Sequence, residues 1–380
     1  MKNNLYTIMV CILAVFFISG CSKTFNKTYG GSGEEWANSV QQTKDGGYIL
    51  AGWTDSYGAG SYDAWLIKTN ANGNKVWEKT FGGSSEDRAY DVQQTSDGGY
   101  ILAGWTFSFG VVGDDAWLIK TNANGNKVWE KTFAGDYNEW ALAVQQTSDG
   151  GYILAGSTSD YGFDWEHIWL IKTDANGNKI WDKTYALYRY NRAYAVQQTS
   201  DGGYILAGYA CSYDDCTSWL IKTDANGNKV WDKTFGGSSS DVQQTTDGGY
   251  ILAASNGDVW LIKTDADGNK VWDTFFGQST YQDWPEAVQQ TSDGGYILAG
   301  VTESFGAGDR DAWLIKTDAN GNKVWDKTFG GSGTDWALAV QQTSDGGYIL
   351  AGLYSIPYNQ DAWLIKTDAE GNAPSTPTPG

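Results

Sequence analysis

The tripeptide Gln-Gln-Thr begins at Gln41, Gln93, Gln145, Gln197, Gln243, Gln289 and Gln341, giving seven copies at spacings of 52, 52, 52, 46, 46 and 52 residues. Each lies in a longer unit, seen whole from Ala143 to Trp181: A-V-Q-Q-T-S-D-G-G-Y-I-L-A-G, a variable loop, then I-W-L-I-K-T-D-A-N-G-N-K-I-W. A period of about 50 residues with several short strands per unit reads as a β-propeller, in which each unit buries its faces only against its neighbours. Repetition overrides the prior that a chain of 380 residues makes two or three domains, and one domain over residues 21–372 is expected.

Four strand signals occur per unit. In the third they are Val144 to Thr147, Tyr152 to Thr158, Ile168 to Thr173 and Ile180 to Tyr185, all rich in β-branched or aromatic residues. Two links are tight turns, Ser148-Asp149-Gly150-Gly151 and Asp174-Ala175-Asn176-Gly177-Asn178. Asp-Gly and Asn-Gly supply the positive φ that short hairpins need. The other two links are long and differ between copies. In a four-stranded antiparallel blade alternate connections emerge on one side, so the turns share a uniform face and the variable loops share the other. Function specific to this chain belongs on the variable face.

The fold expected is therefore all-β: a seven-bladed propeller of four-stranded antiparallel blades. The last unit ends at Trp363 to Thr367 without an outer strand, whereas Thr24 to Tyr29 precedes any inner strand. The N-terminal segment, residues 24–29, should complete the last blade and remove the open edges of a linear array. The fifth unit has lost about four residues between Phe235 and Val242 and about seven between Ala254 and Trp260, which predicts a notch in the rim. Residues 373–380, rich in Pro and Thr, read as a disordered or polyproline-like tail.

The unit G-G-S-x-x-D-x-A-x-x-V-Q-Q-T-x-D-G-G-Y-I-L-A-G followed by D-A-W-L-I-K-T-D-A-N-G-N-x-x-W resembles the β-propeller repeats of bacterial and archaeal surface lipoproteins, over about residues 24 to 372. The resemblance implies a fold and leaves activity open, because function lives in sites rather than folds. The Gly-Asn-Lys-x-x-Trp element is also similar to quinoprotein-type propeller repeats, in which such a tryptophan docks between blades. No cofactor follows from it.

Lys2, the apolar run Ile8 to Ile18 and the tetrapeptide Ile18-Ser19-Gly20-Cys21 read as a signal peptide over residues 1–20. The tetrapeptide resembles the lipobox of prokaryotic lipoproteins, which implies lipidation of Cys21 and an extracytoplasmic, membrane-anchored location at the cell surface or in the periplasm. Cys11 lies within that signal, which leaves Cys211 and Cys216 to form a local disulfide in an exported protein. A formal charge of −19 with four arginines argues against nucleic acid and against an anionic membrane face, so a lipid anchor is the one membrane attachment expected, and the chain is read as a monomer.

Thirteen of the 20 tryptophans occupy framework positions, and the extras are Trp36, Trp53, Trp105, Trp140, Trp165, Trp284 and Trp336. Four extras share one loop position just before the inner strand, where units two and four carry Arg88 and Arg192 and unit five is deleted. The candidate site is thus a ring of Trp36, Arg88, Trp140, Arg192, Trp284 and Trp336 near the channel mouth, preceded by Glu35, Asp87, Glu139, Asn191, Asp283 and Asp335. Aromatic faces beside carboxylates suit sugar rings; bulky residues that plug gaps between blades, with acids capping turns, are the structural alternative.

The repeated Asp-x-Asn-Gly-Asn departs from the EF-hand pattern and reads as a hairpin turn. Calcium remains open through the variable-face acids Asp164, Glu166, Asp214, Asp215 and Asp309. No metal ligands or catalytic residues are assigned. His167 is the sole histidine, so multi-His zinc sites are excluded; it reads as an exposed loop residue. The function expected is non-enzymatic binding of a glycan or an envelope or surface protein through the variable face. An assembly scaffold resembling the propeller lipoprotein of the outer-membrane insertion machinery is the alternative. A carbohydrate-active enzyme with paired carboxylates in the channel mouth is the third.

Overall fold

A computed structural model describes residues 23–380 except 112, 136, 160–164, 214, 279, 357, 358 and 376. Residues 1–20, Cys21, Asp164 and Asp214 lie outside the described residues. The described chain is all-β without helices, built largely from four-stranded antiparallel sheets in a propeller-like arrangement. In the first repeat the strands are Glu35–Gln42, Tyr48–Thr54, Asp63–Thr69 and Lys75–Phe81, paired in chain order. The third and fourth repeats keep the same order and are joined by one parallel pair, Glu166 with Tyr190.

The run Tyr-Ile-Leu-Ala-Gly is buried along its whole length, as in Tyr48–Thr54 and Tyr100–Thr106. Both faces are covered, so the strand reads as a continuous apolar stretch instead of an alternating one. Ile49, Ala51, Ala64 and Leu66 of the first repeat pack with Tyr100, Leu102, Trp117 and Ile119 of the second. Tyr48, Leu50, Trp65 and Ile67 turn the other way and pack with Ile349, Ala351, Ala362 and Leu364 of the seventh. Phe25–Tyr29 pairs antiparallel with the last long strand, Phe25 opposite Lys366 and Tyr29 opposite Ala362, where an outer strand was expected.

Two devices repeat between neighbouring sheets. The tryptophan of each outer strand reaches the next repeat: Trp129 meets Tyr152 edge-on at 5.9 Å and lies over Gly177. Gly177 has φ +74, and a Cβ there would stand 2.6 Å from the Trp129 ring, so turn geometry and docking both require glycine. Phe25 fills this role against the first repeat, 5.8 Å from Tyr48 and over Gly73.

The second device is a relay of glutamines. The Gln41 side-chain oxygen accepts the backbone N–H of Gln94 at 2.6 Å, Gln93 accepts that of Gln146, and so on to Gln341, which accepts that of Gln42 at 2.6 Å. The second glutamine of each pair accepts an amide from the preceding repeat, as Gln146 does from Ser96 and Gln42 does from Ser344. These side chains satisfy backbone donors on strands that have no ladder partner on their inner side.

Behind the turns, Lys120 is buried with its ammonium 2.9 Å from Asp97 and 2.8 Å from the Thr121 carbonyl. The pattern recurs at Lys68, Lys172, Lys222, Lys263, Lys316 and Lys366. The Asp-Gly-Gly aspartate therefore anchors a lysine as well as making a turn.

Three expectations are corrected. Inner strands begin earlier than Val144, at Glu139 in the third repeat, because a bulge between Ala141 and Ala143 interrupts the alternation that marks a strand. The ring positions are consequently strand residues rather than loop residues. The tail is not wholly free: Thr378–Pro379 pairs in parallel with Lys27 and Thr28, and the Asn26 amide donates to the Pro374 carbonyl at 2.9 Å. Proline cannot donate to a ladder but tolerates an edge, which is where this segment lies.

Candidate functional site

Every inner strand carries the bulge seen in the third repeat, one residue after the framework alanine or its equivalent. The bulged residues are Asn38, Tyr90, Leu142, Tyr194, Ser240, Glu286 and Leu338, and all of them line a cavity of about 440 Å³. Trp36, Trp284 and Trp336 form its aromatic wall, with Arg310 beside them. A narrower space of about 290 Å³ is lined by Ser39, Asp91, Asp241 and the first glutamine of each pair.

The six expected ring residues divide into two groups. Trp36, Trp284 and Trp336 line the cavity; Arg88, Trp140 and Arg192 do not. Arg88 lies over Trp53, Tyr62 and Trp105 at 4.8, 4.6 and 5.4 Å. Arg192 lies 4.1 Å over Trp140 and donates from Nε to Glu166 at 2.7 Å, while Trp140 Nε1 donates to Asp114 at 2.9 Å. These three have cationic or aromatic partners and lie outside the cavity.

Trp36 stacks on Trp53 at 5.3 Å and tilts toward Trp336 at 6.4 Å. Arg310 lies over Trp284 at 4.9 Å and is held by Glu303 at 2.9 Å. Arg310 was missed as a site residue, since it sits in a variable loop ahead of Asp-Ala-Trp and only tertiary packing brings it to the mouth.

The polar residues preceding the ring are not part of the cavity. Glu35, Asp87, Glu139, Asn191, Asp283 and Asp335 are all fully buried. Glu35 accepts the Gly31 amide at 2.9 Å, the Thr54 hydroxyl at 2.8 Å and the Ser56 amide at 3.2 Å. Asp87 accepts from Gly83, Thr106 and Ser108, and Asp283 from Glu303 and Ser304. Asn191 takes the Leu187 and Tyr188 amides and donates to the Glu166 carbonyl. Burial raises the Glu139 and Asp335 carboxyls above their ordinary range, although loop donors such as the Gly135 and Gly331 amides pull the other way. Each of these residues fastens a variable loop to its inner strand. Alternation explains the miss: residues adjacent along a strand point to opposite faces.

The carboxyl that does face the cavity is Glu286, which sequence reasoning did not single out. It is one carboxylate among the described lining residues, and burial in the channel pushes it up to about 7. Asp241, deeper in, is also pushed to about 7, first by burial and then by the charge of Asp91, against hydrogen bonds from the Val288 and Val242 amides. Asp91 accepts the Ser39 hydroxyl and the Val92 and Val144 amides, so it ties three repeats together.

The fifth repeat corrects another expectation. The ring position is not deleted there: the ladder sets Ser238 opposite Ser255, just as it sets Trp36 opposite Trp53. The lost residues come from the loop before it, where Gly237 at φ +75 makes the turn and a Cβ would collide with the Ser255 carbonyl. The notch exists as a cleft of about 610 Å³ lined by Tyr190, Tyr209, Asp215, Ser238, Ser255 and Asn256, together with the disulfide-bonded Cys211 and Cys216.

Asp174 accepts the Asn176 and Asn178 amides and the Asn178 side-chain amide, so that carboxylate is engaged within its own turn. Among the described residues no group of three His, Cys, Asp or Glu side chains is placed to hold a metal ion. His167 lies in the strand Glu166–Thr173, opposite Thr158 and 6.5 Å from Trp165, rather than in a loop.

No protein-family model matches the sequence, and no curated protein matches it. Among solved structures the chain is similar to Sqt1 from Chaetomium thermophilum, with a TM-score of 0.52 and 12% identity over 93% of this chain and 87% of that one. A protein of unknown function from Bacteroides caccae aligns with a TM-score of 0.46 and 13% identity over 74% of this chain and 93% of that one. At such identity the first likeness speaks to fold alone: what this chain shares with it is a repeat-like all-β architecture.

Proposed function

We propose that the seven repeats close into one seven-bladed propeller, held at a membrane by a lipid on Cys21, which binds a neutral glycan in the aromatic cavity of its variable face and catalyses no reaction. Support for closure comes from contacts between the seventh and first repeats: the glutamine relay, the shared core and Phe25 over Gly73. The anchor rests on Ile18-Ser19-Gly20-Cys21 and places the protein at the cell surface or in the periplasm. Fatty-acid labelling in cells tests it: label should follow the wild-type chain and be lost in Cys21→Ser.

One observation carries the glycan reading. Trp36, Trp284 and Trp336 wall a cavity of about 440 Å³ that Glu286, Asn38, Arg310 and Ser238 also line. Aromatic faces accept the C–H side of a sugar ring, while a few polar groups fix its hydroxyls. The charge of −19 disfavours polyanionic glycans. A glycan array probed with the full chain, with and without calcium, tests this. Trp284→Ala should abolish binding while the chain stays folded; unfolding would assign that tryptophan to framework packing, and a blank wild-type array would remove the reading.

A specific observation favours a second reading, an envelope-protein scaffold. The variable loops expose Phe107, Phe109, Tyr137, Trp165, Tyr188, Tyr213 and Tyr281, and aromatic residues are enriched in protein interfaces. A reproducible pull-down of envelope proteins, lost when Phe107 and Tyr213 are changed to serine, would support it. A carbohydrate-active enzyme would need a second carboxylate about 5–10 Å from Glu286.

A further inference from the structure

The mouth is walled unevenly. Across the first two strands of each repeat the paired residues at the ring level are Trp36 with Trp53, Arg88 with Trp105, Trp140 with Ser157, Arg192 with Tyr209, Trp284 with Val301 and Trp336 with Leu353. In six repeats at least one large side chain stands there. In the fifth the pair is Ser238 with Ser255. Those two serines line both the aromatic cavity and the cleft of about 610 Å³ outside it, so the two spaces meet across a low sill.

The cleft has its own chemistry. Tyr190 and Tyr209 offer rings, while Asp215, Asn256 and the two serines offer hydrogen-bonding groups. Its wall is fixed: Cys211 and Cys216 are disulfide-bonded and directly opposite each other at the end of their hairpin.

We infer that the ligand of the aromatic cavity is a linear neutral oligosaccharide, one end seated in the mouth and the chain leaving sideways over Ser238 and Ser255 into the cleft of the fifth repeat. This rests on the glycan reading above and adds to it the shape of the ligand and its direction of exit. A compact ligand would gain nothing from the cleft; a chain would stack on Tyr190 and Tyr209 and bond through its hydroxyls to Asp215 and Asn256.

The test is calorimetric titration of the detergent-solubilised full chain with cello-, malto- and chito-oligosaccharides, each from disaccharide to hexasaccharide. In at least one series affinity should rise about tenfold or more with length. Asn256→Trp, which blocks the cleft side of the sill and lies outside the aromatic cavity, should remove that rise and leave the disaccharide's affinity unchanged. Trp284→Ala should abolish binding at every length. If Asn256→Trp fails to fold, Asp215→Trp, another exposed residue of the cleft, takes its place. Hexasaccharides binding no tighter than disaccharides, or a length dependence that survives the sill variant, would overturn the exit route and leave the mouth reading standing. Absence of binding at every length, or capture of a denatured polypeptide instead, would overturn both.

Discussion

Replacing Phe25 with alanine asks whether the two ends of the repeat array hold each other. Phe25 is 7% exposed, so nearly the whole ring is removed from a packed site between Tyr48, Gly73 and the last strand. Large-to-small changes of this kind cost about 3–5 kcal/mol. The matched control is Trp129→Ala, which deletes the equivalent contact between the second and third repeats. In a closed ring the two sites are equivalent, and both variants should lower the melting temperature comparably, by roughly 5 °C or more. In an open array the terminal strand would detach alone and leave global stability untouched. Thermal unfolding followed by tryptophan fluorescence gives the midpoint, and hydrogen exchange at Phe25–Tyr29 gives the local stability. An unchanged midpoint for Phe25→Ala, with those amides exchanging as freely as a loop, would refute the closure argument.

Stability should vary with pH in two opposite steps. Glu286 and Asp241 are raised to about 7, so the folded chain binds more protons than the unfolded one between about pH 4 and 7, and stability should rise as pH falls through that window. The turn aspartates Asp97, Asp149, Asp201, Asp247, Asp293 and Asp345 are lowered to about 2, where hydrogen bonds from their turns and lysines outweigh burial, so stability should fall again from about pH 4 to 2. Melting temperatures across pH 2–8 would show the maximum on the acid side, and Glu286→Gln should flatten the upper limb; a maximum above pH 7 would contradict the assignment. Gly177→Ala should cost at least about 1 kcal/mol in urea titration, because it forces a side chain into positive φ against Trp129. Asp335→Ala should cost roughly 1–3 kcal/mol by leaving the Gly331 and Ser355 amides short of an acceptor, with little change in ligand affinity; the reverse pattern would return that acid to the binding site.

How legible each feature was depended on where its partner lay. The turn at Asp174-Ala175-Asn176-Gly177-Asn178 could be read directly, since its carboxylate and the amides it accepts lie within five consecutive residues. The second demand on Gly177, made by Trp129 of the preceding repeat, could not. The partner of Lys120 could not be read from its strand, because its aspartate belongs to the other turn of the repeat. The ring of Trp and Arg was visible as a register, but the register alone treats its members as equals. Packing separates Trp36, Trp284 and Trp336, which line the cavity, from Arg88, Trp140 and Arg192, which do not.

The sequence by itself determined the repeat, the four strands per unit, the turns and the side on which variation collects, because these follow from local backbone preferences and from a period countable along the chain. Tertiary structure alone decided which carboxylate meets the cavity, that Ser238 fills the place of a tryptophan, and that Arg310 reaches the mouth. Those outcomes depend on a bulge that turns one side chain inward and on neighbours about 50 residues away, and no pattern within a single repeat encodes either.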